Sequence, residues 1–194
     1  MLPGYRDPKS YTPEGVYPDE WSPFERIHSP EWRGYQAQDA PEWMNATEFL
    51  LDKHLQDSRT AQKPAIIAND VPYSYEYLLK LVCKAAHALT GELQLDSDNR
   101  LLIVAPDRIE AVLTWLGAHR AGVVPGWVSP LYKPRDLAYF IQDTACRALF
   151  IDAGSLGKLN EIREELPASL RHVIVYGASE EMGRSYDELV DPMP

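Results

Sequence analysis

Apolar positions along the chain fall into short unbroken runs separated by stretches with helical spacing. Residues 101–105 (LLIVA) show no polar alternation, which is how a strand buried on both faces of a parallel sheet reads. A helix is predicted at once: Pro106 cannot continue a ladder, Asp107 is placed to cap orphan N–H groups, and Glu110 stands three residues on to complete a capping box. Ile109, Val112, Leu113 and Leu116 then recur at i, i+3, i+4 and i+7, a stripe expected to pack on the sheet. Gly122 is expected to stop this helix in the left-handed conformation. Residues 123–128 read as the next strand, with Pro125 marking an edge, a bulge or an early end. The whole predicts a β-α-β unit with a right-handed crossover.

The same two periods extend to either side. Asn45 or Thr47 is expected to cap a helix with Leu50, Leu51, His54 and Leu55 on one face. Residues 64–68 read as a strand, Asn69 and Asp70 as a turn, and residues 71–73 as the returning partner. Ser74 then caps a helix running to about Thr90, with Leu78, Leu79, Val82, Ala86 and Leu89 inward. Downstream, the pattern predicts a helix over 134–144 with Leu137, Phe140 and Ile141 inward, a strand over 147–152 and a helix over 156–166. A strand over 171–176 and a helical turn over 185–190 follow. Strands alternating with helices define an α/β fold, doubly wound, with a mostly parallel sheet flanked by helices. No segment repeats, and the final residues bring no closing helix, so the chain is expected to be a portion of something longer.

Residues 1–41 break the code. Prolines at 3, 8, 13, 18, 23, 30 and 41 interleave with Tyr5, Tyr11, Tyr17, Trp21, Phe24, Trp32 and Tyr35. Prolines forbid long regular structure, yet so many rings are uncommon in a disordered tail. An extended arm packed on the body formed by residues 42–194 is expected, the alternative being an arm that docks a partner. The 19 Lys+Arg against 29 Asp+Glu give a formal net charge of −10, which works against a broad nucleic-acid or anionic-membrane surface. Two cysteines, Cys83 and Cys146, lie among apolar neighbours and read as buried thiols in a reducing compartment. With no apolar leader and no spanning run, a cytoplasmic protein is expected.

Ligands of a parallel sheet bind beyond the carboxyl ends of its strands. Those ends are residues 106–108, 129–131, 152–155 and 177–179, and none carries GxGxxG or GxxxxGK[ST]. The turn after Asp152 reads as a β-to-α connection capped by Ser155, the alternative being an anion site. No serine sits in a GxSxG elbow, and histidines 28, 54, 87, 119 and 172 form no ligand-spaced pair, so neither a nucleophile nor a metal site is predicted. The cluster of Asp107, Arg108 and Glu110 is expected to serve as helix caps, the alternative being action on a ligand. Lys133 and Arg135 form a cationic pair beside a strand end, suited to a phosphate or to a solvated helix start.

The run RLLIVAPDRIEAVLTWLGAHRAGVVPGWVSP, followed by LAYFIQDTACRALFID and LRHVIVYGA, resembles the N-terminal subdomain of the adenylate-forming acyl- and aryl-CoA synthetases. Upstream, NATEFLLDKHL and AIIANDVPYSYEYL resemble the benzoate-CoA ligase branch. The resemblance implies a two-step reaction: a carboxylic acid, aromatic or otherwise hydrophobic, is activated by ATP with Mg²⁺ to an acyl-adenylate, and the thiol of coenzyme A then displaces AMP. It also implies that the phosphate loop, the nucleotide motifs and the catalytic lysine lie downstream, so that this polypeptide alone is inactive and works with the C-terminal remainder of the same enzyme. Ser129-Pro130-Leu131 falls where relatives commonly read Asn-Pro, here with Ser in place of Asn and apolar Leu following; Ser129 and, as the nearest cationic substitute, Lys133 stand as cofactor-binding candidates, with Arg135 beside them as the other member of the cationic pair. An adenylation enzyme that loads a carrier protein, or a non-catalytic interaction module with an aromatic docking arm, is the alternative. A homodimer is admitted.

Overall fold

The computed structural model describes residues 44–177 and 182–194, so the arm expected over residues 1–41 lies outside them. Residues Met44–Pro194 form one compact unit. It begins with α1 (Ala46–Leu50), whose cap is Asn45: its side chain accepts from Thr47 N. A 3₁₀ turn, Asp52–Gln56, and the short α2 (Ser58–Ala61) follow, so the continuous helix face expected through Leu55 is interrupted. β1 (Pro64–Ala68) and β2 (Val71–Ser74) form an antiparallel hairpin. Its turn places Asn69 and Asp70 at φ 49° and 62°, the two left-handed positions that a tight hairpin loop demands and that Asn and Asp tolerate.

Ser74 accepts from Tyr77 N and starts α3 (Tyr75–His87), which a π-helical turn carries to Glu92. Then come β3 (Arg100–Val104), α4 (Ile109–Ala121), β4 (Val124–Val128), α5 (Pro134–Thr144), β5 (Ala148–Asp152) and α6 (Leu156–Glu161). The helix expected to reach residue 166 loosens after Glu161 into the 3₁₀ turn Arg163–Glu165. β6 (His172–Tyr176), the two-residue β7 (Arg184–Ser185) and α7 (Tyr186–Val190) complete the order. β7 has no sequence signal, because two residues are too few to show a period.

The five-stranded sheet runs β4-β3-β5-β6-β7, with every neighbouring pair parallel. Alternation inside the apolar runs sends side chains to both faces. Leu101, Ile103, Phe150, Ile174 and Tyr176 meet Leu89, Ala111, Ala118 and the residues of α7 on one side. Leu102, Val104, Leu149, Ile151 and Val175 meet Leu137, Ala138, Ile141 and Leu159 on the other. Helices therefore cover both faces, as a doubly wound fold requires. β4 is the outer strand, and Pro125 sits in it where a missing donor is tolerated. Cys146 is buried, and burial pushes its thiol pKa up. Cys83 is half-buried.

Helix α4 departs from the expected packing. Leu113 and Leu116 point away from the sheet and join Leu51, Leu78 and Val82, with Ile109 and Val112 beside them. The face turned to the sheet carries Ala111 and Ala118, small residues that let the helix sit close, while Thr114 is buried and takes a hydrogen bond from Tyr176. The large apolar stripe is thus free to build a second core against α3 and the hairpin. Gly122 ends the helix at φ 74°, as expected of a residue without a Cβ. Among the described residues no helix is long and apolar enough to cross a membrane.

Candidate functional site

The strand order reverses between β3 and β5, and the crevice at such a switch point is where open α/β sheets ordinarily take a ligand. Here side chains fill it. Arg108, in the loop after β3, donates from Nε and Nη2 to both carboxylate oxygens of Glu110 at 2.9 and 3.0 Å. Its Nη1 donates to Asp152 Oδ1, at the end of β5, at 3.0 Å. The guanidinium carbon lies 5.1 Å from the ring centroid of Tyr176 at the end of β6, so one planar cation ties three strand ends together. Glu110 is held below its ordinary pKa, chiefly by the hydrogen bond from Arg108 and against the cost of its own burial.

This arrangement replaces the capping box expected at the start of α4. Arg108, not Asp107, occupies the cap position, and no side chain caps the helix. Glu110 forms an ion pair because a guanidinium two residues away offers a charged fork where a backbone cap offers a single N–H. A similar exchange occurs after β5: Asp152 Oδ2 accepts from Gly154 N at 3.0 Å, while Ser155 makes no capping bond and is buried. Beneath the cluster, Tyr176 donates to Thr114 Oγ1 at 2.8 Å and Thr114 donates to Glu110 O at 2.8 Å. Burial pushes the Tyr176 phenol well above its ordinary pKa, keeping it a donor at every physiological pH.

A concavity lies one strand over. A groove of about 430 Å³ runs across the ends of β3 and β4, lined by Ala105, Pro106, Asp107, Trp127, Val128 and residues 129–131. Trp127 forms part of its floor and donates from Nε1 to Ala105 O at 3.0 Å, bonding the first carbonyl past β3. Ser129 stands at the rim, its Oγ accepting from Leu131 N at 3.2 Å. Leu131 is 88% exposed. Lys133 is the backbone cap of α5, and Arg135 lies in that helix's first turn; both are exposed. Ser129 thus lines the groove, whereas Lys133 and Arg135 are not among its lining residues and follow it in the chain at the start of α5.

Two contacts that sequence reasoning missed shape this region. Asp152 closes the switch point, and Lys158 on α6 donates to Pro130 O and, at 3.0 Å, to Tyr132 O. Their partners are 44 and 26–28 residues away, so no local pattern announces them. Among the described residues no group of three His, Cys, Asp or Glu is placed to hold a metal ion. The loop from β3 to α4 does not fit a triphosphate, since its cation is already paired and it carries no glycine.

The described residues form a five-stranded parallel sheet wound on both faces, with a ligand-sized groove at its carboxyl edge. The AMP-binding enzyme family model matches residues 54–193, and the chain belongs to that family. It is 32% identical over 151 residues to the 3-hydroxybenzoate–CoA ligase of Aromatoleum sp. (strain CIB), covering 78% of this chain and 28% of that protein. It is 30% identical over 137 residues to the benzoate–CoA ligase of Thauera aromatica, covering 71% and 26% respectively. The crystal structure of an anthranilate CoA ligase in complex with anthranoyl-AMP superposes with a TM-score of 0.73 at 24% identity, over 82% of this chain and 29% of that one, which establishes the shared fold. The chain spans little more than a quarter of these relatives' length.

Proposed function

We propose that this chain is the N-terminal portion of an acid–CoA ligase, which activates an aromatic or otherwise hydrophobic carboxylic acid with ATP and Mg²⁺ and passes the acyl group to coenzyme A. The observation that carries this reading is the 32% identity to a hydroxybenzoate–CoA ligase across 78% of the chain, a span that includes most of the described fold. The groove supports it. Its walls are largely apolar, from Pro106, Trp127, Val128, Pro130 and Leu131, and so suit a slender chain with few charges. Ser129 adds a hydroxyl at the rim, and Lys133 and Arg135 add positive charge where phosphates would follow. Coenzyme A, when bound, supplies the thiol that accepts the acyl group; this chain's residues bind and orient it.

Thioester formation by the complete enzyme, offered benzoate and 3-hydroxybenzoate with ATP, is the direct test. Product with coenzyme A as acceptor supports the reading, whereas product only with a carrier protein overturns it. This polypeptide alone is expected to catalyse no ATP–pyrophosphate exchange, and robust exchange would overturn the placement of the chemistry downstream. Replacing Lys133 and Arg135 together by alanine is expected to raise KM for coenzyme A about tenfold, equivalent to about 1.4 kcal/mol of binding. Initial rates at varied coenzyme A check this, and an unchanged KM would remove both residues from the site.

A further inference from the structure

The loop 129–133 joins β4 to α5 and carries both Ser129 and Lys133, so its shape decides how the groove meets a ligand. Three ties hold it. Ser129 Oγ accepts from Leu131 N, the Tyr132 ring packs against Phe140 with centroids 5.0 Å apart, and the Lys158 ammonium donates to the carbonyls of Pro130 and Tyr132. The last tie comes from a different helix and straddles Leu131. With the carbonyls on both sides of it drawn toward α6, Leu131 is turned outward and left 88% exposed, although an apolar side chain gains by burial. A lysine normally keeps its ammonium in water. Here Lys158 is half-buried and spends two donors on main-chain oxygens, charge-assisted bonds that a neutral side chain cannot reproduce.

We infer that Lys158 is a positioning residue for coenzyme A: it fixes the loop so that Leu131 stands at the groove mouth between Ser129 and Lys133. The inference rests on the ligase reading above and adds a residue that touches no ligand. In the complete enzyme, Lys158→Met is expected to raise KM for coenzyme A about tenfold with kcat changed less than about twofold, and Lys158→Arg, which keeps charge and donors, to recover most of the loss. Faster hydrogen exchange at the amides of Leu131 and Tyr132 in the methionine variant, measured without coenzyme A, is the second expected result. An unchanged KM in Lys158→Met, in an enzyme that does form the thioester, overturns the positioning role and leaves the ligase reading intact. Parallel losses of kcat and thermal stability without a KM effect also overturn it. Absence of any coenzyme A thioester from the wild-type enzyme overturns both.

Discussion

Gly117→Leu is expected to lower the free energy of unfolding by about 3 kcal/mol, near the upper end of overpacking costs. Gly117 lies on the face of α4 that crosses α3, and a Cβ there would meet Ala85 Cβ at 2.8 Å and Ala86 N at 3.1 Å. Neither neighbour can yield: one is a methyl carbon fixed to its backbone and the other is backbone itself. The crossing would have to open, and with it the second core, where Leu78 and Val82 meet Leu113 and Leu116. Helix propensity works in the opposite direction, since leaving glycine gains up to about 1 kcal/mol in a helix interior, so the net loss depends on steric contact winning. Denaturant titration followed by far-UV circular dichroism decides it, and a loss below about 1 kcal/mol would mean the helices can separate at little cost.

Arg108→Met is expected to cost about 2 kcal/mol at neutral pH, because it strands two carboxylates that now share one cation. Arg108 and its partners are each only about a quarter exposed, at 25% against 27% for Glu110 and 26% for Asp152, so solvent replaces the lost bonds poorly. The pH dependence has a definite sign. Glu110 is held below its ordinary pKa in the folded protein, so its contribution is complete above the unfolded carboxylate value, about 4.3, and fades as the pH falls through the folded value. The gap between wild type and variant should accordingly narrow below about pH 4. Adding Glu110→Gln and Asp152→Asn to Arg108→Met should recover part of the stability, since no unpaired charge then remains. A gap that stays constant with pH would show that Arg108 acts through packing on Tyr176 and not through its carboxylates.

How much of this was legible in the chain follows from the range of the forces involved. The hairpin, α3, α5 and the parallel strands are written in local code: Asn69-Asp70 for the turn, Ser74 for a cap, Gly122 for a stop, unbroken apolar runs for strands. Each works within about four residues. The packing of α4 was misread because an apolar stripe states that a face is buried but not against what, and here α3 competed with the sheet for it. Strand ends are where a parallel sheet ordinarily takes a ligand, and a groove does lie at the ends of β3 and β4 with Ser129 in its lining. Arg108 was read as part of a cap because Glu110 at that spacing fits one, whereas the observed pairing depends on Asp152 arriving from another strand. Lys158 was invisible for the same reason.

The outer strand of the sheet has one more consequence. Val124 N donates to Asn99 O at 2.8 Å, so strand alternation turns the nitrogen of Pro125 toward the rim that no described strand pairs. A proline there leaves a gap in the row of donors. Any further strand that joined the sheet on this side would have to pass that gap without a bond and could not slide freely along it. A proline at this position therefore works against chance pairing of edge strands between molecules.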